Sequence, residues 1–391
     1  MFTEVWHPRK YCDPKLIAGH VIFRHGDRTP ITNYPKDVVN ESFWPNGYGQ
    51  LTSTGIKQQR NLGRYIRQRY NSILNSTYEA KQITVRSTDY DRTLMSAYSN
   101  LLGLYPQLDN STDISVQPIP VHTVPQNEDY LLGINICPRE DQIINEIKNS
   151  DEVKNLNIKF AGFFKDLEGY TGFKEIDLFN AWDVADTIFV ETLYNVTVPW
   201  ATKAVQANLS EINDYSFQLS FSRPDSKRIR GGPIIKDILD NIHNLSASTF
   251  RNVKLYSAHD TTVSAVLSFL GINYPHQPPY ASAVFIDFYQ KDDQSYAIKV
   301  EYLNETGKLP YPKQLDNCPD YYCPFETFKS IYQPKLPGTV DVECAAKVPA
   351  PSTGFGPNGK SLLARSGDLG TLVSRQIPPA ETKRNGRMNE I

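Results

Sequence analysis

The sequence predicts an α/β fold: a three-layer sandwich with a central, largely parallel sheet flanked by helices, plus a mainly helical insert. Three observations lead there. An apolar extended run, a short polar patch and a helical pattern follow one another three times along the chain. Two of these units precede residue 120 and the third follows residue 247, so one α/β core is assembled from both parts of the chain. Between them, residues 121–246 change to longer stretches with polar and apolar residues at helical spacing.

In the first unit the apolar run 16–23 leads into Arg24-His-Gly-Asp-Arg28. In the second, Ile83-Thr-Val85 leads into Arg86-Ser-Thr-Asp-Tyr-Asp-Arg92, after which Leu94, Ala97, Tyr98, Leu101 and Leu102 fall at helical spacing. The insert follows, with amphipathic helices expected over 140–149 and 181–195. The third unit is Val253-Lys-Leu-Tyr-Ser257, then Ala258-His259-Asp260, with Val263, Val266, Leu267 and Leu270 on one helical face. Residues 283–290 and 296–303 read as further strands. The expected organisation is thus a discontinuous α/β core, 1–120 with 247–346, around a helical insert, 121–246. The segment 347–391 is rich in Gly, Pro, Ser and charge and holds few aromatics, too little apolar surface to fix itself, and is expected to be a disordered or added tail. Ligands of such sheets bind beyond the carboxyl ends of the strands, so the three polar patches converge on one crevice.

A chain of 391 residues, 40% hydrophobic and 12% aromatic, can bury a substantial core. Its net charge of −2 provides no large basic field, which argues against nucleic acid or an anionic membrane as partner, and any anion must be held by a local cluster of cations. No run reaches the ~18 to 20 apolar residues of a membrane span, and the first ten residues lack a signal peptide's apolar segment. The expectation is a soluble chain, either a mature form or one beginning at a new methionine. Seven Asn-x-Ser/Thr sequons, at Asn40, Asn75, Asn110, Asn195, Asn208, Asn244 and Asn304, point to the secretory route and to glycosylation. The five cysteines, Cys12, Cys137, Cys318, Cys323 and Cys344, include no Cys-x-x-Cys pair and no grouping with His at zinc-ligand spacing, which favours disulfides over metal. Several two-bridge pairings stay open, with a local Cys318-PDYY-Cys323 staple among them.

Arg24 and Arg28 flank His25 in a loop that leaves a strand, and planar, permanently charged guanidinium forks suit phosphate oxygens. His25 between them is a nucleophile beside a bound phosphoryl group; the plainer alternative is a surface charge cluster. Ser257-Ala-His-Asp-Thr-Thr-Val263 adds His259 and an acid, Asp260, which also stands where a helix N-cap is expected. Nucleophile, second imidazole, fixed cations and a proton-donating carboxyl together suit phosphomonoester hydrolysis. Asp27 is expected to orient its arginine neighbours, and Gly26 to let backbone approach without a side chain.

The segments RHGDRTP and SAHDTT resemble the histidine acid phosphatase family, whose signature is Arg-His-Gly-x-Arg-x-Pro with a later His-Asp. The similarity extends to Trp44-PNGYGQLTSTG55, Arg86-STDYDRTLMSA97 and Pro278-PYAS282, in the order and spacing of the prostatic and lysosomal type, and so covers most of residues 16–345. It implies that His25 attacks phosphorus and carries it as phosphohistidine. It further implies that Arg24, Arg28, Arg92 and His259 bind phosphate, and that Asp260 protonates the leaving alcohol. The implied enzyme is metal-free and cofactor-free, favours acid pH, acts on small phosphomonoesters and is a homodimer. The resemblance also pairs Cys137 with Cys344 and Cys318 with Cys323, leaving Cys12 without a partner. No span follows the catalytic region, which favours a secreted protein over a lysosomal one.

Alternatives remain within and outside enzyme chemistry. His-Asp-Thr-Thr departs from the His-Asp-Thr-Asn of phytases, which favours a broad phosphomonoesterase over a phytase-like enzyme. A catalytically weak secreted binder of phosphorylated ligands would need neither nucleophile nor acid. Residues 354–361 match a P-loop pattern, but 347–353 form no strand before it and Pro357 removes a backbone donor. Asp89-Tyr-Asp-Arg-Thr93 matches a magnesium-dependent aspartyl phosphatase motif, but Arg86-Ser-Thr88 separates it from its strand and the histidine motifs would be left without a role.

Overall fold

A computed structural model describes residues 14–106, 117–133, 137–272 and 276–347, all within one compact unit. Cys12, Asn110, the P-loop pattern at 354–361 and the tail from 348 lie outside the described residues.

The strands are β1 (Lys15–Arg24), β2 (Ile83–Ser87), β3 (Val253–Ala258), β4 (Ala283–Gln290), β5 (Tyr296–Leu303), β6 (Tyr311–Lys313) and β7 (Cys323–Pro324). They form one sheet in the order β2-β3-β1-β4-β5-β6, with β7 also paired to β5. β3 is parallel to both β1 and β2, as the three repeated units require. β4 runs antiparallel to β1, and β5 is antiparallel to β4, β6 and β7. The α/β layering is as expected, but parallel pairing is confined to the half that carries the polar patches, and the sheet as a whole is mixed. The short connection from β4 to β5 explains the antiparallel pairing of those two strands, because a tight turn can join antiparallel strands and cannot return a chain for parallel pairing.

Period-two alternation separates the two faces. Val21 and Phe23 of β1, with Val85, Leu255 and Phe285, pack under α1 (Ser53–Arg69) and α2 (Asp91–Leu104). Of the expected apolar stripe on α2, Ala97 and Leu101 enter this core while Tyr98 and Leu102 face outward. Helices α3 (Pro138–Lys148), α4 (Asp151–Lys159), α5 (Ala161–Thr171), α6 (Ala181–Leu193) and α7 (Lys203–Ser220) share a separate core around Ile143, Val153, Leu167, Val184 and Ile212. α8 (Pro224–Arg230) leads into α9 (Gly232–His243), whose Ile234, Ile235, Ile238 and Ile242 pack on the sheet's other face. α10 (Asp260–Phe269) and α11 (Phe325–Tyr332) complete that layer, and the short α12 (Val340–Glu343) follows. Thus α9, although within 121–246, contributes to the sheet core. Disulfides join Cys137 to Cys344 and Cys318 to Cys323.

α6 docks on the loop after β1 through one polar face. The Thr187 hydroxyl donates to the Thr32 carbonyl at 3.1 Å, and the Tyr194 hydroxyl to Asp27 Oδ1 at 2.7 Å. Glu191 is 1% exposed, neither of its carboxyl oxygens has a hydrogen-bonded donor, and it lies beside Asp37. Burial first, then the hydrogen bond and charge of Asp37, raises its carboxyl from 4.5 to about 8. The folded protein therefore holds a proton that the unfolded chain has released. The resulting stability is complete below about pH 4.5 and is lost as pH rises towards about 8. Thermal melting should show a decline in Tm between these limits that Glu191→Gln flattens; a variant with the parent's slope would contradict the assignment.

Candidate active site

The registers of β2, β3 and β1 set their carboxyl ends level, since Ser257 pairs with both Ser87 and Phe23, and Ala258 with Arg24. Backbone bonds join the loops beyond: His25 N–H donates to the Ala258 carbonyl at 2.9 Å, and Thr88 N–H to the Ser257 carbonyl at 3.1 Å. The Ala281 N–H donates to the His25 carbonyl at 3.0 Å from a left-handed backbone with φ of 57°, which fixes the Pro278-PYAS282 block against the first patch. The three patches meet as the sequence predicts, bringing Arg24, His25, Arg28, Arg92, His259 and Asp260 to one place.

Charge dominates this place. Arg24 and Arg28 are 3% and 1% exposed, and each has an acidic partner. Arg24 Nη2 pairs with Asp260 Oδ2 at 2.9 Å, and its Nη1 donates to the Pro278 carbonyl at 2.6 Å. Arg28 grips Asp186 of α6 in a bidentate fork, at 2.9 and 2.8 Å. Burial works against the Arg28 charge, but Asp186 more than offsets it and holds that guanidinium above its ordinary value. Arg92 forms no ion pair among the described residues; burial and then Arg28 lower it to about 10, and the Tyr90 ring, 4.6 Å from it, is its cushion. Tyr280 lies 4.1 Å from Arg24 and 5.8 Å from Arg28 in the same manner. All three arginines keep a buried Nε–H without an acceptor. Three guanidinium groups against two carboxylates leave one positive charge over, with donors to spare: the requirements of an oxyanion site.

The imidazoles are fixed in opposite senses. His25 Nδ1 lies 2.8 Å from the Gly26 carbonyl, which can only accept, so Nδ1 carries the proton and Nε2 presents a lone pair. Burial, then Arg24, Arg92, Arg28 and His259, holds His25 well below 6.5. The ring therefore stays unprotonated, and nucleophilic, into the acid range. His259 Nε2 lies 3.0 Å from Thr88 Oγ1. Thr93 spends its hydroxyl proton on the Thr88 and Tyr90 carbonyls and accepts from Thr88, which leaves Thr88 to accept from His259. His259 thus carries Nε2–H; burial and then Arg92 hold it below 6.5 as well.

Asp260 is the first residue of α10, and the cap position itself belongs to His259. Burial would raise its carboxyl, but Arg24, the Gln277 amide and Arg28 outweigh burial and set it below its ordinary value. Asp27 departs from expectation. It bonds neither arginine, and its Oδ1 accepts from the Thr52 and Tyr194 hydroxyls, tying the loop to α1 and α6. Gly26 admits the backbone of Gly55, which a Cβ would meet at 2.4 Å, so the close approach it permits is that of α1. Asp91 of the aspartyl-phosphatase pattern is exposed, while Arg92 and Thr93 of the same stretch serve the histidine site.

Sequence reasoning missed Asp186, Gln277, Tyr280 and Thr88. A buried acid at position 186, on the apolar side of a helical pattern, was the one readable signal among them. Among the described residues no cluster of three or more His, Cys, Asp or Glu can hold a metal ion, and no helix is long and apolar enough to cross a membrane. A cavity of about 340 Å³ opens over His25, Arg28, Arg92, His259 and Asp260, and its rim is formed by Ile31, Phe179, Trp182, Phe217 and Phe221. A second, of about 1070 Å³, reaches Arg24, Gln277 and Tyr280 between α6 and α7.

Two buried histidines ringed by guanidinium groups at the parallel edge of a helix-flanked sheet define an α/β protein built to hold a tetrahedral oxyanion against an imidazole. The chain belongs to the histidine phosphatase superfamily, branch 2, whose family model matches residues 15–303. It is 40% identical over 336 residues to lysosomal acid phosphatase of Xenopus laevis, covering 83% of this chain and 77% of that protein. It is 37% identical over 350 residues to human prostatic acid phosphatase, covering 87% and 90%. The solved phytase of Citrobacter braakii superposes with a TM-score of 0.65 over 85% of this chain and 100% of its own, at 17% identity, a likeness of fold.

Asp186→Asn should expose what the fork does, because it keeps the shape and removes the charge opposite Arg28. Breaking a buried pair of this kind costs about 3 kcal/mol. Denaturant unfolding should register that loss, and inorganic phosphate should restore part of it by supplying the missing negative charge. Unchanged stability, or no response to phosphate, would refute the pairing's role.

Proposed function

We propose that the chain is an acid phosphatase that hydrolyses phosphate monoesters through a phosphohistidine on His25. The observation that carries this reading is the bare Nε2 of a buried His25, held neutral by the same arginines that would bind the phosphoryl group. The relatives, lysosomal and prostatic acid phosphatases, support the same activity.

In this reading Arg24, Arg28 and Arg92 hold the phosphate oxygens, and His259 joins them by redirecting its Nε2–H from Thr88 to the bound anion. A dianion entering a pocket with one surplus positive charge makes it negative by one, so a proton is drawn in. Asp260 is the acceptor already present, and its carboxyl rises from the depressed value of the empty site. Nε2 of His25 attacks phosphorus, the ester P–O bond breaks, and the proton on Asp260 passes to the leaving oxygen. Water then attacks phosphorus, gives its proton to the Asp260 carboxylate, and the P–N bond breaks to release phosphate. The guanidinium groups supply the charge stabilisation of the transition state. Acid pH favours this cycle through Asp260, while His25 stays unprotonated because its own value is depressed.

The phytase-like alternative is less well supported. Beyond the arginines of the phosphate site, the two cavities that reach it add one cation, Lys203, and the smaller is walled largely by Ile31, Phe179, Trp182, Phe217 and Phe221, a sparse lining for a substrate carrying six phosphates. A binder without turnover would need no bare nucleophile. The secretory route is part of the proposal, supported by the two disulfides and by exposed sequons at Asn40, Asn75, Asn195 and Asn244; Asn208 and Asn304 are half-buried. The relatives point to a lysosomal or secreted location, and we favour secretion. A homodimer is likewise retained, for which Met95, Tyr98 and Leu102 offer an exposed apolar stripe on α2. The core and insert division at 120 and 247 is proposed with one amendment, that α9 packs with the sheet.

Rapid quenching of turnover at about pH 5 into alkali, where phosphohistidine survives, should trap one phosphate per active chain on His25. In His25→Ala that label and turnover of p-nitrophenyl phosphate should both vanish. A variant that still turned over, or label on another residue, would end the proposal.

A further inference from the structure

The oxygens of Asp260 are not equivalent. Oδ2 receives two strong donors, Arg24 Nη2 at 2.9 Å and Gln277 Nε2 at 2.6 Å. Among the described residues Oδ1 receives only the N–H of Thr261, at 2.8 Å. Gln277 is held in turn from α7: its Oε1 accepts from Asn213 Nδ2 at 2.9 Å, and its N–H reaches Asp214 Oδ1 at 3.4 Å. With its carbonyl committed to Asn213, the Gln277 amide presents its NH₂ to Asp260; the opposite orientation would set its carbonyl against the carboxylate and NH₂ against NH₂.

We propose that Gln277, oriented by Asn213, is a positioning residue for the leaving-group proton: with Arg24 it occupies Oδ2 of Asp260, so that the proton is taken up on Oδ1 and delivered from there. The inference rests on the reading of Asp260 as proton donor and deepens it. No bond beyond those of the proposed cycle is involved, because Gln277 exchanges no proton. It also ties the site to α7, which otherwise supplies the outer wall of the larger cavity. The charged or titratable groups around this pair are Arg24 from β1, Arg28 from the following loop, Arg92 from α2, His259 at the start of α10, Lys203 and Asp214 from α7, and His276 and Tyr280 on either side of Gln277. The arginines, His259 and Tyr280 are shared with the phosphate site; burial lowers His276 from its ordinary value. Asp214 titrates at about 6, raised by burial and partly lowered again by the Gln277 N–H, so its charge must be followed alongside.

The test is the pH profile of kcat with an alkyl phosphate, whose poor leaving group needs the acid, because kcat reads the ionisations of the substrate-bound enzyme. Activity falls as pH rises past the value of the proton donor. Removing a donor from the carboxylate raises that value, so Gln277→Met should move the alkaline limb upward by about half to one pH unit. Asn213→Asp presents only acceptors to Gln277, which must turn its carbonyl towards Asp260. It should therefore move the limb further than Asn213→Leu and lower kcat for alkyl phosphates more than for p-nitrophenyl phosphate. Asp214→Asn should leave the size of the Gln277→Met shift unchanged. A packing role alone would depress kcat equally at every pH. Limbs that stay in place in both Gln277→Met and Asn213→Asp would overturn the inference. Failure of the underlying reading is separate: it would appear as equal losses for good and poor leaving groups in Asp260→Asn.

Discussion

Three arginines gathered at or beyond the carboxyl ends of β1 and β2, two of them buried and the third half-buried, cannot be left to repel one another, and most of what surrounds the site manages that charge. Asp186 neutralises Arg28 from α6, Asp260 neutralises Arg24 from α10, and the rings of Tyr280 and Tyr90 lie against Arg24 and Arg92. What remains is one uncompensated charge and three unused Nε–H donors. The helical segment is therefore needed for more than roofing, since without α6 the Arg28 guanidinium would have no counter-charge. The second polar contact from α7, through Asn213 and Gln277, ends on the other ion pair.

The same surplus charge sets the protonation states. A histidine nucleophile must be neutral, and a leaving-group acid must be protonated, at one pH. Ordinary values, about 6.5 for His and 3.9 for Asp, are in the wrong order for both to hold in acid. Burial and the arginines move His25 down, which solves half of the difficulty in the resting site. Against the upward push of burial, the arginines and the Gln277 amide also move Asp260 down, the wrong direction for an acid, and in the proposed cycle the incoming dianion corrects that by cancelling the field. In the proposed cycle substrate binding and proton uptake are thereby linked. A free enzyme can hold Asp260 ionised and bound to Arg24, and arm it only when phosphate is present.

Much of this was legible in the chain. β4 and β5 match the expected 283–290 and 296–303 because short runs rich in β-branched and aromatic residues are bounded by turn residues. The strand–patch–helix units led to the meeting of Arg24, His25, Arg92, His259 and Asp260 because a parallel sheet leaves its loops at one edge. Strand direction beyond β1 was not legible, since apolar alternation carries no polarity. Asp27 was misassigned because proximity in sequence was read as proximity of side chains, whereas its carboxylate is taken by the Thr52 and Tyr194 hydroxyls. Asp186 and Gln277 act through partners 158 and 17 residues away, on segments without a motif. Periodicity also could not say which core a helix joins, as α9 shows: its Ile234, Ile235, Ile238 and Ile242 fit a helical bundle as well as a sheet face.

The central claim is that His25 Nε2 stands in line with a phosphoryl group gripped by three guanidinium groups. A crystal structure of the chain with orthovanadate at acid pH tests it most directly, because five-coordinate vanadium takes the geometry of phosphorus in transfer. The account predicts vanadium bonded to His25 Nε2, equatorial oxygens on Arg24, Arg28 and Arg92, and the apical oxygen opposite His25 within hydrogen-bond distance of Asp260 Oδ1. Vanadium bonded to any other side chain, or an anion seated away from the arginines, would contradict it.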